Sequence, residues 1–269
     1  MSESVISAKQ VEQLLAGMSV PTAELNADVV ENSTQYGLLL DAHGARLPTS
    51  VEPLCAKRLS RLLSERARDA WPRREIRSLC PSTNTQLLGE GRDASGRLLT
   101  TEFQSSGRGR RGRRWISPIG RNLAISLVWE SDGGFESFAG LSLVVGLALV
   151  DAVQTLGIRD ARLKWPNDLL VPMDREARTA ERDVAARASN WGKLCGILVE
   201  LQQVEDCFLA VIGFGINHGS RALAASAIDQ PIADAHEFLP GVSRHEHAAG
   251  CINALAENLQ AFERDGVEP

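Results

Sequence analysis

The run Gly107-Arg108-Gly109-Arg110-Arg111-Gly112-Arg113-Arg114-Trp115 sets five arginines and three glycines in nine residues, with no acid among them. Glycines allow backbone N–H groups to converge on an anion, and guanidiniums grip phosphate or carboxylate oxygens in pairs. The segment therefore reads as an anion cradle. It is not a P-loop, because Arg113-Arg114 stand where a lysine and a hydroxyl residue must reach phosphates and magnesium. Nor is it a dinucleotide turn, which needs G-x-G-x-x-G opening a helix. A short basic run can also bind nucleic acid, and the loop alone leaves that reading open.

Other segments carry chemistry beside it. Lys164-Trp165-Pro166-Asn167-Asp168 ends one predicted strand, Lys193 to Glu200 (KLCGILVE) opens another, and Gly213-Phe214-Gly215-Ile216-Asn217 closes a third. Upstream, Pro81-Ser82-Thr83-Asn84 precedes a short helix, its hydroxyls free to cap that helix or bind a ligand. In this order and spacing, from about Leu54 to Pro269, the chain resembles the catalytic domain of biotin protein ligase. That enzyme activates biotin with ATP and attaches it to a carboxylase lysine. The arginine loop and KWPND are the segments specific to the family.

The resemblance implies a role for each matching residue. Ser82, Thr83, Asn84 and Gln104 correspond to groups that hold the neutral ureido ring of biotin, with Gly107, Gly109 and Gly196 in the same biotin site. Arg108 and Arg110 correspond to the clamp on the biotin carboxylate and adenylate phosphate. Arg111, Arg113, Trp115, Lys164, Asn167 and Asn217 join them around the nucleotide. Lys193 corresponds to the lysine that neutralises charge as carboxylate attacks the α-phosphate. At roughly 4 Å two unit charges repel by about 4 kcal/mol at an effective dielectric of 20, so a carboxylate meets a triphosphate only with cationic help. Mg²⁺ would share that load, with no carboxylate assigned as its ligand. Asp168 has two readings: it orients the acceptor ammonium and accepts its proton, or it caps the turn after Pro166. Biotinyl-5′-AMP is a mixed anhydride, so no nucleophilic Ser or Cys is required.

The elements that must position these residues form an α+β pattern: a mixed β-sheet flanked by helices. This is the fold the resemblance implies, itself akin to class II aminoacyl-tRNA synthetases. Strands are predicted at Ile76–Leu79, Leu98–Phe103, Asn122–Glu130, Ala161–Trp165, Leu194–Leu201 and Phe208–Gly215. Helices are predicted at Asn84–Leu88, Phe138–Leu156 and His245–Arg264, the last from Cys251, Leu255, Leu259 and Phe262 on one face. Leu54, Leu59, Leu62, Leu63 and Ala67 mark one more amphipathic helix, ended by Trp71-Pro72. Gly140 and Gly146 read as close-packing positions inside the Phe138–Leu156 helix.

The chain has 269 residues, 43% hydrophobic and 23% charged, which suits a folded core and excludes global disorder. Its net charge of −5 offers no general attraction for polyanions. Five cysteines without a C-x-x-C pair fit reduced thiols in the cytoplasm better than disulfides or zinc. His43, His218, His236, His245 and His247 show no metal spacing, so no metal site is expected. Residues 1–53 read as a small irregular segment with one helix near Ser7–Ala16, either a degenerate winged-helix remnant or a packing appendage. Residues 54–269 read as the catalytic domain, without the small SH3-like β-barrel that larger relatives carry after it. The charged stretch 172–192 reads as a solvated loop or as a partner-binding insert.

The expected partners are biotin, ATP and the biotin carboxyl carrier protein of acetyl-CoA carboxylase, with no membrane and no DNA, and with homodimerisation open. The rival functions are a lipoate-type ligase, which shares the adenylate logic, and a nucleic-acid-binding module using the arginine run.

Overall fold

The computed structural model describes residues 5–131, 134–173, 190–224 and 230–266. Most of the stretch 172–192 lies outside the described residues, and so does the choice between its two readings. At the N-terminus, helices α1 (Ala8–Leu15), α2 (Ala27–Glu31) and α3 (Ser33–Tyr36) precede a hairpin of β1 (Leu39–Asp41) and β2 (Gly44–Arg46). Sequence reading expected a single helix here. The other two are too short to display an apolar period; they are defined by an Asn26 cap accepting from Asp28 N and by Gly37 at φ 78. The segment builds its core from Val11, Leu14, Val29 and Tyr36 together with Phe103 and Ile119 of the larger unit. Tyr36 and Phe103 rings lie 5.6 Å apart, and Ile119 N donates to Tyr36 O at 3.0 Å.

The single helix expected over Leu54–Ala67 is two, α4 (Ala56–Leu62) and α5 (Glu65–Ala70). Ser64 breaks it, because its hydroxyl accepts from Ala67 N and caps a new start.

Seven strands follow: β3 (Arg73–Arg77), β4 (Arg97–Thr101), β5 (Leu123–Ser131), β6 (Arg162–Lys164), β7 (Asp168–Pro172), β8 (Trp191–Val204) and β9 (Cys207–Ile216). They form one sheet in the order β3-β4-β5-β9-β8-β7-β6. β3 and β4 pair in parallel and every other pair is antiparallel, which makes the expected mixed sheet. β7 was not anticipated: its five residues merge in sequence with KWPND, and strand character shows only through pairing to β6 and β8.

Between strands lie α6 (Thr83–Glu90) and α7 (Leu141–Thr155), and after β9 come α8 (Arg221–Ala224), α9 (Ala235–Phe238) and α10 (Arg244–Asp265). α7 starts later than expected, because Gly140 adopts φ 85 and caps the helix instead of lying inside it. Gly146 is interior and tightly packed: a Cβ there would lie 2.8 Å from Leu163 Cδ1. The segment Phe135–Thr155 is apolar enough to cross a membrane by composition, but α7 packs against α10 and half of that stretch is buried.

Strand alternation sorts the sheet into two faces. From β9, Ala210, Ile212, Phe214 and Ile216 enter the large core under α7 and α10, while Leu209 and Val211 meet Leu87 of α6 on the other face. The next two positions on that second face are Gly213 and Gly215. From β5, Ala124, Ser126 and Val128 point the same way, opposite Leu123, Ile125 and Leu127. Small residues at consecutive positions thus hollow out the second face just beyond α6.

A buried ion pair fastens the start of α10 and the segment before α4 to the sheet. Arg244 Nη1 lies 2.8 Å from Glu102 Oε2, with side chains 5% and 3% exposed. Arg244 also donates to the carbonyls of Glu52 and Asn122, and Glu102 accepts from Leu54 N.

Candidate active site

The hollow is a cavity of about 1100 Å³. Every residue assigned a site role from the sequence lines it except Gly107. A Cβ on Gly107 would lie 2.5 Å from Trp115 O and 3.0 Å from Gln104 Nε2, so this glycine permits the loop to close rather than touching a ligand.

The arginine loop is a tight hairpin. Trp115 N donates to Gly107 O at 2.8 Å, Gly109 N to Arg113 O at 2.7 Å, and Arg113 N to Arg110 O at 3.3 Å. Those three N–H groups are therefore spent internally and withdrawn from the expected backbone cradle. The turn also projects its guanidiniums. Its tip holds Arg111 at φ 57, a left-handed conformation uncommon outside glycine, followed by Gly112 at φ 73. Two side-chain contacts pin the loop across the cavity. Arg108 Nη2 reaches both oxygens of Glu200, at 2.8 and 2.7 Å, and Arg110 Nη1 donates to Asn167 Oδ1 at 3.2 Å.

At one wall, a bridge between Cys80 and Gln104 brings the PSTN segment beside Gln104. Thr83 N donates to Gln104 Oε1 at 2.9 Å, and Thr83 Oγ1 lies 3.3 Å from the same oxygen. This fixes the amide so that Gln104 Nε2 is left as a donor toward the cavity. Asn84 is different. Its Nδ2 donates to Leu198 O at 3.0 Å and to Glu200 Oε2 at 2.9 Å, while its Oδ1 accepts from Ser126 Oγ at 2.5 Å. Both ends of that amide are engaged by the protein. Ser82 caps α6 through Thr85 N. Gly213 must be glycine for this wall to exist, since a Cβ would stand 1.9 Å from Asn84 Oδ1.

The opposite wall is built on Trp115, whose ring lies on the backbone of Gly215 and Gly196; a Cβ would come within 2.6 and 3.0 Å of it. Lys193 Nζ lies 5.7 Å from the Trp115 ring centroid and 2.8 Å from Asp168 Oδ1. Both side chains of that ion pair are 15% exposed. Lys193 and Gly196 are three apart, and strict alternation would send them to opposite faces. A bulge reconciles them: Leu169 pairs with Cys195 but Leu170 with Lys193, so Leu194 is an extra residue in β8. Asn217 Nδ2 donates to Lys193 O at 2.9 Å, holding the lysine's backbone. Asn167 Nδ2 donates to Asp168 Oδ1 at 3.3 Å. Lys164 and Trp165 stand exposed at the rim, Trp165 at 74%.

Sequence reasoning passed over Ser126, Glu200 and Gln35. Glu200 closes the KLCGILVE segment yet carried no assigned role, and Ser126 sits in an apolar strand where a serine is itself a signal. Gln35 lines the cavity from α3, which no pattern within residues 1–50 announces. Among the described residues no cluster of His, Cys, Asp and Glu could hold a metal ion.

The hollowed face of this mixed sheet presents arginines, one lysine–aspartate pair and a polar amide wall, a lining suited to a ligand with an anionic part and a neutral polar part. Residues 76–217 match the profile of the Biotin/lipoate A/B protein ligase family. The bifunctional ligase/repressor BirA of Escherichia coli is 35% identical over 263 residues, covering 96% of this chain and 74% of that protein. The biotin–[acetyl-CoA-carboxylase] ligase of Paracoccus denitrificans is 39% identical over 141 residues, covering 51% of this chain and 50% of its own. In fold, the chain resembles the biotin protein ligase of Aquifex aeolicus in complex with biotin and ATP, with a TM-score of 0.54, 24% identity and 72% of each chain covered. The chain belongs to the biotin/lipoate A/B protein ligase family. Within that family its place is among the biotin protein ligases.

Proposed function

We propose that the enzyme condenses biotin with ATP to biotinyl-5′-AMP and pyrophosphate, then transfers the biotinyl group to one lysine of the biotin carboxyl carrier protein of acetyl-CoA carboxylase. The observation that carries this reading is the pairing, in one cavity, of a neutral amide wall with a cationic one. A neutral ureido ring suits Gln104 Nε2, since an analogue leaving such a donor unpaired is penalised by about 1 to 3 kcal/mol. The carboxylate and α-phosphate suit Arg108, Arg110 and Lys193, which offset the repulsion between two anions and stabilise charge that grows during attack. Arg111, Arg113, Lys164, Asn167 and Trp115 are assigned to the nucleotide. Asn84 serves by holding other groups in place, as its engaged amide implies, and Asn217, which holds the Lys193 carbonyl through Nδ2, is assigned to the nucleotide through its Oδ1.

Mg²⁺ arrives as the counter-ion of ATP. Asp168 is the one carboxylate among the described lining residues, and it is paired with Lys193. Bound with ATP, Mg²⁺ would neutralise charge on the phosphate oxygens during attack. In the second half-reaction the acceptor amine, with an ordinary pKa of about 10.4, must lose a proton before attack. Asp168 is assigned to orient it and take that proton.

The reading includes no repressor activity. Residues 1–50 carry Lys9 and Arg46 against six acids, a local charge of −4, and α2 presents Asp28 and Glu31. Such a surface repels phosphates. Three free buried thiols, Cys80, Cys195 and Cys251, suit the reducing cytoplasm.

The test is direct. Protein, biotin, ATP and Mg²⁺ are mixed and assayed by mass spectrometry for biotinyl-AMP, then for a biotinylated carrier domain. Product with lipoate alone would assign a lipoate-type ligase. Salt-sensitive polyanion binding with no adenylate of either acid would leave a nucleic-acid-binding module.

A further inference from the structure

Glu200 stands out because its contacts serve no evident structural end. Its carboxylate accepts from Arg108 Nη2 through both oxygens and from Asn84 Nδ2 through one. It thereby joins the arginine loop to the amide wall, two parts of the cavity that come from different elements. The Arg108–Glu200 pair is half-open to solvent, at 43% and 26% exposure, and pairs so exposed contribute little to stability. The sheet around Glu200 is held without it: β8 and β9 pair continuously from Cys195 to Val204. Asn84 keeps two other partners, Leu198 O and Ser126.

What the carboxylate does govern is the place of one guanidinium. Only Nη2 of Arg108 is engaged; Nε and Nη1 make no hydrogen bond among the described residues and remain as donors. A loop held otherwise by a few backbone bonds and the Arg110–Asn167 contact leaves the long Arg108 side chain free to wander. Anchoring Nη2 fixes the plane of the fork before an anion arrives, so the ordering cost of Arg108 is met in the free enzyme rather than on binding.

We propose that Glu200 is a positioning residue that holds Arg108 over the cavity and so sets how tightly the acid substrate and its adenylate are retained. This rests on the biotin-activating function proposed above. Glu200 touches no reacting atom, and its effect runs entirely through Arg108.

Glu200→Gln preserves volume and an acceptor for Asn84 while removing the charge. Its apparent KM for biotin should rise about tenfold, and release of biotinyl-AMP should quicken by a similar factor, as expected on losing one charge-assisted anchor. Adenylation at saturating biotin should stay within about twofold, because the bound fork is then held by the ligand itself. Glu200→Asp should recover part of the affinity. In an Arg108→Ala background, Glu200→Gln should have no further effect on KM or release. Tighter biotin binding by Glu200→Gln would overturn the proposal, showing that the carboxylate competes with the ligand for Arg108. Additive effects of the two substitutions would also overturn it, assigning Glu200 to the fold alone. A wild-type protein that makes no biotinyl-AMP would instead refute the proposed function and leave the Glu200 contacts without this meaning.

Discussion

Lys193 Nζ and Asp168 Oδ1 lie 2.8 Å apart across the β7–β8 pair, with only 15% of each side chain exposed. The residue assigned to neutralise charge in the first half-reaction is therefore bound to the residue assigned to proton transfer in the second. The two assigned roles thus meet in one contact.

Lys193→Ala should slow biotinyl-AMP formation by at least about tenfold, the lower bound for losing one charged stabiliser of the developing phosphoryl charge, with a much smaller change in biotin binding. Asp168→Asn should leave adenylate formation largely intact and slow transfer, so that adenylate accumulates. Single-turnover kinetics of each half-reaction check both outcomes. Each single substitution strands a partly buried partner and should lower stability by roughly 1 to 3 kcal/mol, which must be measured alongside. If Asp168→Asn unfolds the protein, its turn-capping reading prevails.

Gly215→Ala places a methyl within 2.6 Å of the Trp115 ring. Trp115 must tilt toward Lys193 and the cavity, since the backbone of β9 is held between β5 and β8. Overpacking of this kind costs about 1 to 3 kcal/mol. The expected result is a raised KM for ATP with a modest fall in melting temperature. Unchanged ATP affinity would remove Trp115 from the nucleotide site.

His218 and His247 make a pH-dependent contribution to stability. Their rings pack edge-to-face at 5.4 Å, with His236 near His218 and with Arg244, Asp234 and Glu246 as the neighbouring charges. Burial is the main cause that lowers both to about 4; Arg244 adds to it at His218, and His218 adds to it at His247. The unfolded imidazoles titrate near 6.5, so below that pH the unfolded chain takes up protons that the folded one resists. Stability is full above about 6.5 and falls as pH drops toward about 4, by up to about 3 kcal/mol per imidazole. Melting temperatures at pH 7.5 and 5.0 measure the loss. His247→Leu should narrow the gap between them, and an unchanged gap would disprove the assignment.

Glu102→Gln removes the charge that balances Arg244 in a site where both are almost fully buried. Leaving one member of a buried pair alone costs about 3 to 5 kcal/mol. Replacing both, as Glu102→Leu with Arg244→Met, should recover only part of that, because Leu54 N and the carbonyls of Glu52 and Asn122 lose their partners. Denaturant midpoints of the single and double variants decide it, and equal midpoints for Glu102→Gln and wild type would contradict it.

Gel-shift titration against biotin-operon promoter DNA, with and without biotinyl-AMP, should show no sequence-specific retention at physiological salt. Six acids among residues 1–50 and recognition-sized helices absent from α2 and α3 motivate this expectation.

The chemistry of this protein is written in local sequence. Five arginines among glycines, KWPND and GFGIN are residue types suited to gripping an anionic ligand and to close approach of backbone. α10 and most of the sheet follow from apolar periods, because burial on one face imposes its spacing on the sequence directly. Other features depend on contacts between distant segments, which no local period records. The bulge at Leu194 that turns Lys193 toward Gly196 exists only through pairing with β7. The engaged amide of Asn84 needs Ser126, Leu198 and Glu200 from two other strands. The N-terminal segment, irregular when read alone, is ordered by Phe103 and Ile119, so its structure belongs to the surface on which it packs. Residue types thus declare what the site binds. Tertiary structure decides which of those residues have donors left to bind with, because each hydrogen bond made within the fold is one withdrawn from the ligand.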